Sequence, residues 1–159
     1  MANQKIAWIA NSLGEIDAFV DVMEERGFRI AYHSHAIPAI EDLTKGEKYS
    51  LVVINPDIAP GVTSTDPVIE RAMKLRVGGH PAYWDVALRV VELTHGGGSV
   101  NRDTPIIVAG TYHPITSVLW PHARAICLEV GAVDYIHLSA PHFDFESFYG
   151  KLEKLARGN

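Results

Sequence analysis

Tyr49-Ser50-Leu51-Val52-Val53-Ile54-Asn55-Pro56-Asp57 decides how the rest of the chain is read. Leu51 to Ile54 is a short apolar, partly β-branched run, bounded by turn-forming residues and a proline. Such a run predicts a strand buried on both faces of a parallel sheet. In open parallel α/β sheets, ligands bind beyond the carboxyl ends of the strands. Asn55 and Asp57 are therefore the residues to follow.

Upstream, Lys5 to Ala10 reads as a first strand ending in Asn11-Ser12. Ile16, Phe19, Val20 and Met23 form one apolar stripe, which predicts a helix over Glu15 to Arg26 with Gly27 as its left-handed stop. Phe28 to His33 is a second strand, and Ile37 to Leu43 a short helix. Downstream, Pro56 to Pro67 is a loop, and Val68 to Leu75 a helical turn or two. Pro81 suits the first turn of the next helix, whose stripe is Trp84, Ala87, Leu88 and Val91 and which ends at Gly96 to Gly98. Thr104 to Ala109 is a fourth strand, emptying into Gly110-Thr111-Tyr112-His113. Pro114 and Pro121 limit helix formation there, although Leu119, Ala123, Ile126, Cys127 and Val130 line one face before Gly131. Val133 to Leu138 is a fifth strand. A last helix follows, capped by Asp144 and striped by Phe145, Phe148, Leu152 and Leu155. Strand and helix alternate throughout, which predicts a single α/β domain with right-handed crossovers and a flavodoxin-like five-stranded parallel sheet of order 2-1-3-4-5.

The 159 residues are 47% hydrophobic and 21% charged, enough for one domain with a real core and unlike a disordered chain. A formal charge of −5 gives no electrostatic case for nucleic acid or an anionic membrane. No apolar run is long enough to span a bilayer, and the N-terminus lacks a secretory pattern. The single cysteine, Cys127, excludes an internal disulfide and fits a reducing cytoplasm.

Gly131-Ala132-Val133-Asp134-Tyr135-Ile136 resembles the Gly-Ala-x-Asp-Tyr-Ile segment that opens strand five of response-regulator receiver domains. Tyr49 to Asn55, with Pro60-Gly61 downstream, looks like the receiver phosphoacceptor strand and its loop, and Thr104 to Val108 like its fourth strand. The resemblance implies a fold of this kind and a role in two-component signalling. It also implies a specific chemistry. An aspartate after strand three takes the phosphoryl group, an acidic pair after strand one helps hold Mg²⁺, and a Thr or Ser and a Lys contact the phosphoryl oxygens.

The chain departs at nearly every one of those positions. The acidic pair falls on Ala10 and Asn11, the acceptor on Asn55, the hydroxyl on Gly110 with Thr111 one step later, and the lysine on Leu138, followed by Ser139. An amide cannot form an acyl phosphate, and a mouth without carboxylates has little to hold Mg²⁺. The expectation is a degenerate, pseudo-receiver domain with no catalytic residue, metal or cofactor. It would act by binding a partner protein through the face from strand four to the last helix, with a homodimer as one form. Asp57 is the carboxylate that a shifted loop would present instead. Asn11, Ser12, Asn55, Thr111 and Ser139 read either as a neutral polar pocket or as turn and cap residues.

Among the eight histidines, His33 and His35 would share a strand face and reach a metal together with His113 or His137, but no metal motif accompanies them. The long connections Pro56 to Pro81 and Thr111 to Pro121 place Arg76, Tyr112 and Trp120 as candidate interface anchors. A second reading is a small α/β enzyme or ligand sensor using the strand ends beneath those connections.

Overall fold

The computed structural model describes residues 4–62, 64–77, 80–81, 83–111 and 114–158, with backbone alone for 76–77, 80–81 and 114–121. Its elements in order are β1 (Lys5–Ile9), a 3-10 turn (Leu13–Glu15), α1 (Asp17–Glu25), β2 (Arg29–His33), α2 (Ala36–Lys45) and β3 (Leu51–Ile54). Then come α3 (Pro67–Lys74), β4 (Arg76–Val77), β5 (His80–Pro81), α4 (Tyr83–Thr94), β6 (Ile106–Gly110), α5 (Pro114–Glu129), β7 (Asp134–His137) and α6 (Phe145–Arg157).

The main sheet has five strands in the order β2-β1-β3-β6-β7, every pair parallel. Counted along the chain this is the flavodoxin-like 2-1-3-4-5 order that the alternation predicts. Alternate side chains of each strand feed opposite layers. On β1, Ala7 and Ile9 pack with Ala39, Leu43, Trp84, Ala87 and Cys127 from α2, α4 and α5. Ile6 and Trp8 pack with Met23, Phe148 and Leu152 from α1 and α6. All four residues of β3 are buried, as befits the central strand. Asp66 and Asp144 cap α3 and α6, accepting from Val68 N at 3.0 Å and Ser147 N at 3.0 Å. Gly27 and Gly131 take φ of +89° and +110° just past α1 and α5, a conformation that favours glycine.

Three expectations are corrected. Pro81 does not open α4; it pairs with Arg76 in the separate β4–β5 ribbon, and α4 begins at Tyr83. A two-stranded ribbon is all edge, where proline's missing N–H is tolerated. The prolines at 114 and 121 do not prevent a helix, since α5 runs through both. Pro114 is its first residue, where no intrahelical N–H bond is needed, and Pro121 costs α5 one interior bond. Phe145 begins the α6 stripe but is 54% exposed. It stacks on Phe19 at 6.0 Å and meets Phe143 edge-to-face at 4.9 Å rather than entering the core. No described helix is long and apolar enough to cross a membrane.

Candidate functional site

The carboxyl ends of β1, β3, β6 and β7 converge. At the end of β1, Ala10 is buried and Asn11 is exposed, but both ends of the Asn11 amide are engaged. Its Nδ2 donates to the Asp57 carbonyl at 2.9 Å and its Oδ1 accepts from Ala59 N at 3.0 Å. A carboxylate could make only the second bond, because it has no N–H to donate. At the end of β3, Asn55 N donates to Ile9 O at 2.8 Å, and Asn55 Oδ1 accepts from Asp57 N at 2.9 Å. This is an Asx turn, which explains an asparagine before a proline here.

The loop beyond Asn55 is fastened down rather than open. Pro56, Ile58 and Pro60 are buried, Ile58 completely so, and Ile58 joins the core on the α2–α4 side. The first amides of α2, Ala36 N and Ile37 N, donate to Ala59 O and Pro60 O at 2.9 and 3.0 Å. Gly61 turns with φ of +92° beneath the His35 ring, where a β-carbon would come within 2.5 Å of the ring's Cγ.

The decisive contact is at the end of β6. Gly110 lies directly against Pro56: a β-carbon at 110 would stand 2.5 Å from Pro56 Cδ and 2.8 Å from its Cγ. The pyrrolidine ring thus occupies the space that a Ser or Thr side chain at 110 would need. At β7, Leu138 N donates to Gly110 O at 2.8 Å, and the Leu138 side chain packs on the cluster that includes Trp8 and Phe148. Tyr135 is buried edge-on against Trp84 at 5.8 Å. Burial is the main cause raising its phenol pKa, with contributions from Cys127 and from the charge of nearby Asp57.

Of the residues singled out from the sequence, Asn11, Asn55, Asp57 and Gly110 meet around Pro56, and Leu138 joins them through its backbone. Ser12, Thr111 and Ser139 are exposed at neighbouring strand ends. Tyr112 and the side chains of Arg76 and Trp120 lie outside the described residues. His33 and His35 part company. His33 Nε2 lies 3.1 Å from Asp42 Oδ2, whereas His35 Nδ1 lies 2.8 Å from Ser34 Oγ. Among the described residues, no three His, Cys, Asp or Glu side chains gather as a metal set. Pro56 is the member of this cluster that sequence spacing does not single out. Its signal was the coincidence of a proline after β3 with a glycine, not a hydroxyl residue, ending β6.

The face from β6 to α6 has its own polar feature. Asp134, nearly buried, accepts from Arg124 Nε at 2.7 Å, from Lys151 Nζ and from Tyr135 N at 2.9 Å. Burial alone would raise its pKa, but these hydrogen bonds outweigh it and hold the carboxyl below the usual range. Leu128 and Val133 are exposed beside this clamp.

No family model matches the chain, and no curated protein does. Solved structures do. A CheY-like response-regulator receiver domain from Methanospirillum hungatei superposes with a TM-score of 0.61 at 12% identity, covering 99% of this chain and 100% of that one. The fold is that of receiver domains. The receiver domain of a Pseudomonas aeruginosa sensor histidine kinase, solved with magnesium in its active-site cleft, gives 0.60 at 17% identity, covering 98% and 99%. A Burkholderia pseudomallei response regulator bearing a phosphorylated aspartic acid gives 0.58 at 15%, covering 98% of this chain and 69% of that one.

Proposed function

We propose that this chain is a receiver-like signalling domain that does not use aspartyl phosphorylation and acts by docking a partner protein. The reading rests above all on the contact between Gly110 and Pro56, which fills the place of a phosphoryl-contacting hydroxyl with a proline ring. Three further features support it. Asn11 spends its amide on the loop after β3, Asn55 spends its own on an Asx turn, and Leu138 packs into apolar surroundings. A phosphoryl group carries charge that must be met by metal and cations as it transfers. At the described strand ends, the positions that meet it in receivers hold an alanine, two amides, a glycine and a leucine.

The docking surface is the face from β6 to α6, where Leu128 and Val133 are exposed beside the Asp134 clamp. A second copy of the chain is the simplest partner to test there, and a cytoplasmic setting accompanies the role. Incubation with acetyl phosphate and Mg²⁺, followed by intact-mass measurement, tests the chemical half of the proposal. The expected spectrum is unchanged; a gain of one phosphoryl group that maps to Asp57 would overturn it.

A further inference from the structure

We infer that the groove along the outer edge of β7 binds a small arylalkanoate, with its apolar body against Ile136, Phe143 and Phe148 and its carboxylate on Lys151. The site needs no partner protein and stands apart from the docking reading, although it shares that face. The groove runs between β7, the turn at Ala140 and the first half of α6, and has a volume of about 540 Å³. That lies within the range of small-molecule sites, which are mostly apolar with a few converging polar groups. Phe143 and Phe148 form an aromatic wall, their rings tilted at 5.5 Å.

Two observations choose the occupant. The first concerns the edge strand itself, since an open strand edge ordinarily invites another strand. Here the Tyr135 N–H is already taken by the Asp134 carboxylate, which Arg124 and Lys151 hold in place from α5 and α6. Added backbone would have to displace that clamp, whereas a compact ligand in the groove would not. The second is charge. At this end the Asp134 carboxylate is shared between Arg124, which lies outside the groove, and Lys151, which lines it and is its one ammonium. Lys151 has three N–H bonds and gives one to Asp134, so it keeps donors for an anion. The other end holds Asp144, whose carboxylate accepts from Ser147 N and Oγ. An anionic ligand is therefore oriented with its charge at Lys151 and its ring toward Phe143.

The test is an NMR titration of the full chain with naphthylacetate, compared with its neutral methyl ester. Saturable amide shifts centred on residues 136–151 are expected, with a dissociation constant of about 1 mM for a ligand of this size. Losing the charge-assisted hydrogen bond should weaken the ester about tenfold, and Lys151→Met should weaken the acid similarly. Ala140→Trp, which fills the groove without touching a charge, should abolish binding. No saturable shift up to about 10 mM would overturn the site. Equal binding of acid and ester to the unaltered chain would overturn the carboxylate assignment, even if Lys151→Met fails to fold.

Discussion

Pro56 lies over Gly110 so closely that the end of β6 has no room for any side chain: an added β-carbon would reach 2.5 Å from the ring. Both residues are buried, so neither can swing away into water. Gly110→Ala should therefore destabilise the fold by about 1–3 kcal/mol through overpacking. Gly110→Thr should cost more. Combining Gly110→Ala with Pro56→Ala should restore part of the loss, because the two sites share one contact. Urea denaturation of the two single variants and the double variant measures this coupling. Simple additivity would show that the contact is not the constraint.

Asn11→Asp places a carboxylate where receivers carry one, yet it should not produce a magnesium site. The substitution loses the bond to the Asp57 carbonyl and sets two acceptors against each other at 2.9 Å. A cost of about 1 kcal/mol is expected from the lost hydrogen bond. Thermal unfolding with and without millimolar Mg²⁺ checks both halves: the transition should fall, and the cation should not raise it.

Acid should loosen the face from β6 to α6. For Asp134, burial raises the pKa, but hydrogen bonds from Lys151, Arg124 and Tyr135 N lower it further, for a net decrease. For Asp66, burial is again opposed and outweighed, here by Arg89 and the first amides of α3. A folded pKa below the unfolded value binds fewer protons in the native state. The stability it contributes is then present above the unfolded value of about 3.9 and is lost as pH falls through the lower folded values. Asp134→Asn should flatten that acid limb. Urea midpoints measured from about pH 6 down to about pH 3 report it, and identical profiles for the two proteins would contradict the assignment.

Asn101 should be among the costliest residues to truncate. Its buried side chain donates to Leu43 O and Glu47 O at 2.8 and 2.7 Å, and accepts from Tyr49 N at 2.8 Å and Thr104 Oγ1 at 3.0 Å. It ties the end of α2 to the approach of β3, which positions the strand that carries Asn55. Asn101→Ala leaves several buried partners unmet and should cost about 3 kcal/mol. Hydrogen exchange at Tyr49 N–H should accelerate accordingly.

The sheet was legible because its signals are local. Leu51 to Ile54, flanked by turn formers, can hardly be anything but a central strand, and its burial on both faces follows. Asn55 and Asn11 could likewise be placed at strand ends by counting residues. What the Asn11 amide does could not be read, because its partners, Asp57 and Ala59, become neighbours only after the loop folds back. Pro56 was read as a loop former, yet it matters through a residue 54 positions later in the chain. The prolines of α5 misled for a different reason: their cost is set by position within the helix, which tertiary packing fixes and propensity does not. The Asp134 clamp was hidden for the same reason as Pro56, since Arg124 and Lys151 arrive from separate helices.

The most direct measurement is a beryllofluoride titration in the presence of Mg²⁺, followed by the amide shifts of Asn11, Asn55, Asp57 and Gly110. Spectra that do not change with beryllofluoride or Mg²⁺ are the predicted result. A saturable, Mg²⁺-dependent shift centred on Asp57 would contradict the account and return this chain to phosphoryl chemistry.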